Sequence, residues 1–295
     1  MLLIITGKSD GTVDALVDHL DFPFFRLNID DFRNYDLNFS NNDWKITNPV
    51  GLEINSNIAS NCFWWKAFMY QVDVDKYVRD EIKLIAESLY SWFVTRDRTK
   101  GNPPYLESSW GKFRQADIAG KYLNVPPQKL GWGKDFIASF DSNFDWVAKS
   151  LSGTLINSEK ALFTTNVLPA DLDPGYPWYI QRKIESEVDI TVLVVGDNLY
   201  AYEKSRSDLS GIDWREEQFR SQTQWVPINL PEDEVIAIQE FLGEMHVGWG
   251  RMDFLRNESG LQFLELNPNG QWVFLDPSNK HGLLSAVARY LSSDN

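Results

Sequence analysis

Basic residues are scarce in this chain of 295 residues. Its 28 lysines and arginines face 42 aspartates and glutamates, which gives a formal net charge of −14. Nucleic-acid binding requires clustered basic side chains that neutralise phosphates, so this balance argues against a nucleic-acid partner. A nucleotide can still bind where a few basic groups converge on one cleft.

Cysteine, histidine and long apolar runs are scarce as well. The single cysteine, Cys62, excludes an internal disulfide and any zinc site built from cysteines. We interpret His19, His246 and His281 as structural, because they have neither metal-ligand spacing nor the partners of a catalytic triad. No apolar run approaches the roughly 18 residues of a membrane span, and "MLLIITG" carries no basic leader. We therefore expect a soluble cytoplasmic protein without a membrane partner.

Apolar residues are plentiful, at 43% of the chain, and are sufficient for a substantial core. The length suits two or three packed units. Apolar runs at 2–6 and 22–29 flank a helical pattern at 10–20, which predicts an α/β opening. Further patterns predict helices at 78–94, 110–123, 231–245 and 283–291, strands at 144–149 and 175–184, and a hairpin at 189–205.

Two common nucleotide-binding patterns are missing. In "TGKSDGT" (6–12), Leu2 stands where the P-loop pattern requires a glycine. The chain also contains no G-x-G-x-x-G sequence, which argues against a dinucleotide enzyme.

The segment "GWGRMDFLRNESGLQFLELNPNGQW" (248–272) predicts two strands joined by a turn. Because side chains alternate along a strand, one face receives Arg251, Asp253 and Leu255 from the first strand, and Phe263, Glu265 and Asn267 from the second. The other face receives Met252, Phe254, Leu264 and Leu266. Pairing of the strands therefore brings two carboxylates, an amide and a guanidinium to one surface.

These groups have a recognisable chemistry. Carboxylate and amide oxygens suit Mg²⁺ that keeps several waters and takes its remaining ligands from phosphates. Without a cation, Asp253 and Glu265 would repel each other and one would tend to protonate. A neighbouring arginine suits a site where negative charge develops in a transition state. The pattern alone also fits a structural hairpin with a surface ion pair.

"GWGRMDF" and "LQFLELNPNG" resemble the last strands of ATP-grasp ligases. The resemblance implies that Asp253, Glu265 and Asn267 are ligands of Mg²⁺ that bridges ATP phosphates. It implies that Arg251 supports a tetrahedral intermediate. Further upstream it implies phosphate contacts for Lys112, Lys149 and Lys204, adenine contacts for Gln181, Arg182, Lys183 and Ile184, and a ribose contact for Asp189.

Within that superfamily, "LELNPNGQWVFLD" (264–276), "DWR" (213–215) and the N-terminal region resemble the microviridin-type peptide ligases of graspetide biosynthesis. The resemblance implies a precursor peptide as partner, with a leader and a core that carries Asp or Glu together with Ser, Thr or Lys. A side-chain carboxylate would be activated as an acyl phosphate and joined to a hydroxyl or amine, closing a macrocyclic ester or amide. Arg215 would recognise the substrate carboxylate.

The sequence departs from that subgroup at Thr191 and Lys66, and in "EKSRS" (203–207). Thr191 and Arg251 are more typical of D-alanine ligases, which keeps open a second hypothesis, a small-molecule carboxylate–amine ligase. A non-catalytic nucleotide-binding relative is a third.

The predicted architecture is the three-part ATP-grasp fold, with α/β and α+β parts. We expect an N-terminal α/β domain at 1–105, a central lobe at 106–184 and a C-terminal lobe at 185–295 that carries the metal site. ATP would lie between the last two. Pairing into a homodimer is expected from the family.

Overall fold

The computed structural model describes residues 1–41, 43–67, 72–102, 111–151, 164–207, 212 and 224–293. The N-terminal part contains strands β1 (Leu2–Thr6), β2 (Phe24–Asn28), β3 (Asp36–Ser40), β4 (Asp43–Thr47), β5 (Glu53–Asn55), β6 (Cys62–Trp64) and β7 (Thr99–Gly101), and helices α1 (Gly11–Val17) and α2 (Lys76–Val94). A parallel sheet has the order β2-β1-β6-β7, and an antiparallel sheet has the order β3-β4-β5. The predicted α/β opening is confirmed.

A second unit is built around a small antiparallel sheet. It contains β8 (Gln128–Gly131), helix α4 (Lys134–Ala138), β9 (Trp146–Lys149), β10 (Thr165–Val167) and β11 (Trp178–Arg182). The strand order is β10-β9-β11-β8. Among the residues that the structure describes, its buried core cluster consists of Trp146, Ala148, Leu172 and Ile180, with partly buried Phe136, Ile137, Phe140, Val167 and Trp178 packed against it. This cluster is smaller than those of the other two units.

The third unit is a five-stranded antiparallel sheet with the order β14-β13-β12-β15-β16. Its elements are β12 (Val188–Val195), β13 (Asn198–Ser205), β14 (Val226–Ile228), helix α5 (Glu232–Met245), β15 (Trp249–Asn257), β16 (Gly260–Asn267) and helix α6 (Leu283–Ser292). One face of the sheet shares a buried core with the N-terminal part. This cluster contains Leu193, Trp249 and Leu283 together with Phe63 and Trp65, and the Trp249 ring contacts both aromatic rings. The other face packs against α5.

Helix α3 (Lys112–Ala119) lies in the predicted central segment but packs elsewhere. Its Ile118 and Ala119 belong to the buried cluster that contains Phe241 of α5 and Leu266 of β16. The predicted boundary at residue 105 lies outside the described residues, so the domain division stays a prediction.

The predicted side-chain alternation is wrong in part of β16. Asp253 pairs with Glu265, but Phe254 pairs with Phe263, so Leu264 is an extra residue in the ladder. A β-bulge of this kind reverses the faces of the residues before it. Phe263 is consequently buried in the core, whereas Leu264 lines the cavity described below.

Within the part of the chain that the structure describes, no helix combines the length and apolarity that crossing a membrane requires.

Candidate functional site

A cavity of about 230 Å³ lies between the central sheet and the C-terminal sheet. The central lobe contributes Val147, Lys149, Ser150, Thr164, Tyr179, Gln181, Arg182 and Lys183 to its wall. The C-terminal sheet and the segments beside it contribute Asp189, Thr191, Arg206, Arg251, Asp253, Leu255, Leu264 and Glu265. Asp253 and Glu265, two of the three predicted metal ligands, therefore face the same space as most of the residues predicted to bind nucleotide, whereas Asn267 and Lys112 are not among the lining residues.

Asp253 is held by two neighbours at the C-terminal wall of the cavity. Arg251 donates from Nη2 to Asp253 Oδ2 at 2.8 Å, and Thr191 donates from Oγ1 to Asp253 Oδ1 at 3.0 Å. The side chains of Arg251 and Asp253 are only 7% and 15% exposed. The alternative of a hairpin with a surface ion pair is therefore wrong.

Glu265 lies directly opposite Asp253 on the neighbouring strand. Its Oε2 accepts a hydrogen bond from Lys112 Nζ, so the lysine of α3 that is predicted to bind phosphate contacts the hairpin that is predicted to bind metal. Burial raises the pKa of the Glu265 carboxyl, whereas neighbouring cations lower it more strongly, to about 2. These cations are Lys112, Lys149 and Arg251. Glu265 is therefore ionised at neutral pH and able to bind a cation.

Asn267 completes the predicted metal-binding trio at the end of β16. It pairs across the hairpin with Arg251, and its Oδ1 accepts from the backbone N–H of Asn269 at 3.2 Å. Gly270 lies against both residues. A Cβ atom at Gly270 would lie 3.0 Å from the Cβ of Arg251 and 3.2 Å from the Cβ of Asn267. Only glycine fits here without displacing the site.

The guanidinium of Arg251 is oriented from two sides. Nη1 donates to the backbone oxygen of Gln271 at 2.7 Å, while Nη2 bonds to Asp253. The buried Nε atom has no hydrogen-bond partner among the described residues. A buried donor without a partner is costly, so this atom is suited to an acceptor on a ligand.

The predicted adenine-binding segment forms the end of β11 and the residues after it. The backbone N–H groups of Arg182 and Lys183 are already bonded within the central lobe, to Pro127 O at 2.8 Å and Asp145 O at 2.9 Å. The predicted contacts with adenine would therefore have to be made by the carbonyl groups of these two residues or by Ile184. Gln181 is 2% exposed, and its Nε2 has no partner in the described structure, which makes it a second donor suited to a ligand.

Asp189 and Lys204 are cross-strand neighbours on β12 and β13, and both are buried. Both oxygens of Asp189 accept from Arg206 Nη1, at 2.8 and 3.0 Å, and Arg206 Nη2 donates to the backbone oxygen of Ile212 at 2.6 Å. Lys204 is not part of the cavity wall, in contrast to Asp189 and Arg206.

Arg206 and Tyr179 are cavity residues that the sequence reasoning missed. Arg206 directly follows β13, and its ion pair with Asp189 joins residues 17 positions apart, which the sequence pattern does not relate. Burial, together with the charge of Glu265, raises the pKa of Tyr179, whose hydroxyl donates to Gln128 Oε1. Tyr179 is therefore a neutral donor in the wall. Arg215 lies outside the described residues.

The donor set of the trio fits Mg²⁺. Two carboxylates and an amide oxygen are hard ligands, and each carboxylate can accept further partners besides its arginine or lysine. The described residues contain no group of three or more His, Cys, Asp or Glu side chains that could hold a metal ion by themselves. Waters and phosphate oxygens would thus have to complete the coordination, as is usual for Mg²⁺.

No protein-family model and no curated protein sequence matches this chain. Solved structures do match. A RiPP-associated ATP-grasp ligase of Chryseobacterium gregarium, in complex with ADP and a leader and core peptide, has a TM-score of 0.83 at 23% identity, over 98% of this chain and 96% of that chain. The macrocyclase MdnC of Microcystis aeruginosa MRC, bound with precursor peptide MdnA, has a TM-score of 0.82 at 19% identity, over 99% of both chains.

A third structure was determined with a metal. The ATP-grasp ligase PsnB, complexed with a phosphomimetic variant of a minimal precursor, Mg and ADP, has a TM-score of 0.75 at 13% identity, over 98% of this chain and 97% of that chain. All three similarities extend over nearly the whole of this chain. The chain therefore has the ATP-grasp fold, as the sequence predicted.

Proposed function

We propose that this chain of ATP-grasp fold is an ATP-dependent ligase that macrocyclises a ribosomal precursor peptide. One observation carries the proposal. The carboxylates of Asp253 and Glu265 lie opposite each other at a cavity between two sheets, and Lys112, Lys149 and Arg251 lie close to them. Such an arrangement suits a cation and a polyphosphate better than a neutral ligand.

ATP is the proposed nucleotide. Lys149, at the end of β9, and Lys112, at the start of α3, would contact its phosphates. Gln181 Nε2, buried and unpaired in the described structure, would donate to the adenine ring, with further contacts from Ile184 and the carbonyls of Arg182 and Lys183. Asp189 would contact the ribose while Arg206 holds its carboxylate in place. Lys204, the cross-strand neighbour of Asp189, would support the ion pair between Asp189 and Arg206.

Mg²⁺ is the proposed metal, held by Asp253, Glu265 and Asn267. When bound it would offset phosphate charge during transfer. Residues of the chain itself would hold the phosphates and orient the metal ligands. Lys112 and Lys149 would hold the phosphates, and Thr191 and Arg251 would fix the orientation of Asp253.

The proposed reaction has two steps. First, an oxygen of a peptide Asp or Glu carboxylate attacks the γ-phosphorus of ATP, which gives an acyl phosphate and ADP. Second, a Ser or Thr hydroxyl or a Lys amine attacks the acyl carbon, loses its proton, and expels inorganic phosphate. Arg251 would stabilise the oxyanion, a contribution of about 3 kcal/mol at comparable sites. Arg215 would bind the carboxylate that reacts.

The proposed partner is a precursor peptide with a leader and a core rich in Asp, Glu, Ser, Thr or Lys. The structure of the Chryseobacterium ligase contains a leader and core peptide, and that of MdnC contains a precursor peptide, which supports the choice of a peptide partner. Pairing of this chain into a homodimer is also proposed, and light scattering of the purified protein would test it.

The decisive experiment is intact-mass analysis of candidate peptides encoded beside the gene, incubated with the protein, ATP and Mg²⁺. We expect the loss of one water per new bond, dependent on ATP. Glu265→Ala should abolish the loss without unfolding the protein. Glu258→Ala provides a matched control, since this exposed carboxylate lies in the turn of the same hairpin and should leave product formation unchanged. Turnover by Glu265→Ala would refute the assignment of the site.

Other results would favour the remaining hypotheses. Thermal stabilisation by ATP and Mg²⁺ with no peptide mass change, but with ADP release in the presence of small carboxylates and amines, would identify a small-molecule ligase. The hydrogen bond from Thr191 to Asp253 and the presence of Arg251 are compatible with this alternative. Stabilisation without ADP release under any of these conditions would indicate a nucleotide-binding relative.

A further inference from the structure

The strand that carries Glu265 and Asn267 lies at the edge of its sheet. Among the described strands, β16 pairs only with β15, and its other edge has a single isolated bridge from Gln262 to Asn124. Backbone groups on the open side of an edge strand need other partners. In this protein the segment that contains α3 and the residues after it supplies them.

Gln115 of α3 binds the backbone of β16 through both ends of its side-chain amide. Its Nε2 donates to Leu266 O at 2.9 Å, and its Oε1 accepts from Leu266 N at 2.9 Å. Gln115 is only 3% exposed. Leu266 is the residue between Glu265 and Asn267, and its own side chain is buried in the core. The amide therefore fixes the one peptide segment that joins two proposed metal ligands.

A second contact lies on the other side of the bulge. The backbone oxygen of Asn124 accepts from Phe263 N at 2.8 Å, and its side-chain Nδ2 donates to Ser259 O at 3.0 Å. The bulged residue Leu264 thus lies between two anchored points, one at Phe263 and one at Leu266. Because a shift of one residue in register turns every side chain to the opposite face, anchors on both sides keep Glu265 opposite Asp253.

We propose that Gln115 is a positioning residue for the metal site. It acts through the backbone of Leu266, so it holds Glu265 at the cavity wall and fixes the strand position of Asn267 on the other side of Leu266. Lys112, three residues earlier on the same helix, contacts Glu265 directly. Helix α3 therefore places a positive charge beside Glu265 and also holds the backbone of β16. The inference deepens the proposed function, because it assumes that the trio binds a divalent cation.

The test compares two amide substitutions on the same strand edge. Gln115→Met keeps the side-chain volume and removes both hydrogen bonds to Leu266. Asn124→Ala removes the side-chain contacts with Ser259 O and Leu261 O near the turn of the hairpin, keeps the backbone acceptor for Phe263 N–H, and serves as the matched control. The probe is Mn²⁺ with ADP, measured by electron paramagnetic resonance on the full-length protein, together with the thermal unfolding midpoint of each variant.

We expect Gln115→Met to weaken Mn²⁺ binding about tenfold or more, the size of effect usual when an outer partner of a metal ligand is lost. Asn124→Ala should bind Mn²⁺ as the wild type does, even where its unfolding midpoint falls as far. Equal Mn²⁺ affinity in Gln115→Met and wild type would overturn the proposal. Should Gln115→Met fail to fold, Gln115→Glu, which keeps only the acceptor from Leu266 N–H, takes its place, and wild-type affinity there would also overturn it.

The two proposals can fail separately. If the wild type itself shows no Mn²⁺ binding with ADP, the metal assignment of the proposed function is refuted. If the wild type binds and Gln115→Met binds equally, only the role of Gln115 is refuted.

Discussion

At the scale of single residues, the site depends on charge compensation between side chains that the hairpin brings together. Asp253 and Glu265 lie opposite each other, and two adjacent carboxylates would ordinarily push one pKa upward. Lys112 contacts Glu265, and together with Lys149 and Arg251 it lowers the pKa of Glu265 to about 2 despite its burial. Arg251 forms a buried ion pair with Asp253. Glu265 is thus available as a cation ligand near neutral pH.

A steric prediction belongs to the same scale. Gly270→Ala would place a methyl group 3.0 Å from Arg251 Cβ and 3.2 Å from Asn267 Cβ, closer than ordinary contacts between carbon atoms. We expect a loss of about 1–3 kcal/mol of unfolding free energy, as for other overpacked sites. Weaker Mn²⁺ binding should accompany it, because both displaced residues belong to the site. Urea unfolding and Mn²⁺ titration would measure the two effects.

The same substitution elsewhere provides the control. Gly243 lies inside α5, and a Cβ there would meet no atom within 4 Å. Gly243→Ala should raise stability by about 0.5–1 kcal/mol, because alanine favours the helix and restricts the unfolded chain. If Gly270→Ala were as harmless as Gly243→Ala, the close packing at Gly270 would have no functional meaning.

At the scale of secondary-structure elements, the edges and ends of strands decide where the functional groups point. The bulge at Leu264 turns Phe263 into the core and leaves Leu264 at the cavity. Asn102 closes the open end of the same hairpin, where its Nδ2 donates to Trp249 O at 2.8 Å and Pro268 O at 2.7 Å. The buried side-chain amides of Asn102 and Gln115, from distant segments, thus hold the β15–β16 hairpin, whose neighbour among the described strands is β12.

The backbone conformation at the C-terminal end of α5 affects the stability of the protein. The helix ends at His246, which has a left-handed conformation with φ 55° and ψ 47°. Glycine adopts this conformation without the steric cost that a Cβ imposes. His246→Gly should therefore raise the free energy of unfolding by about 1 kcal/mol, with nucleotide binding unchanged. Chemical denaturation of both proteins would show it, and a loss of stability would imply that the imidazole has a role we have not assigned.

At the scale of the whole molecule, the cavity lies between lobes of unequal core size. The central sheet has a small buried cluster around Trp146 and Ile180, whereas the C-terminal sheet is covered on both faces. Regions with few buried contacts open locally at lower free energy than the rest of a protein. The side of the cavity that carries Lys149 and Gln181 is thus the more easily deformed one.

Hydrogen exchange tests this difference. We expect backbone amides of β8, β9 and β11 to exchange faster than those of β12 and β15 in the protein alone. ADP with Mg²⁺ should slow exchange in the central strands most, because a ligand that binds both walls stabilises the weaker one. ADP without a divalent metal serves as the control. Uniform protection of all strands would contradict an unequal pair of lobes.

Much of this architecture could be predicted from sequence because its signals are local. Apolar runs and helical spacing are properties of neighbouring residues, and they predicted the α/β opening, α2, α5, α6 and both long hairpins. The segment 248–272 predicted the ATP-grasp fold for the same reason, since the proposed metal ligands Asp253, Glu265 and Asn267 all lie within it.

Only the tertiary structure decided the contacts between residues far apart in the chain. Gln115 and Leu266 are separated by 151 residues, and no periodicity relates them. The bulge at Leu264 depends on the edge position of β16, and the packing of α3 on the C-terminal sheet depends on which apolar faces remain uncovered. Local patterns set which residues can form a strand or helix, whereas burial and hydrogen-bond satisfaction across the whole molecule set which of them meet.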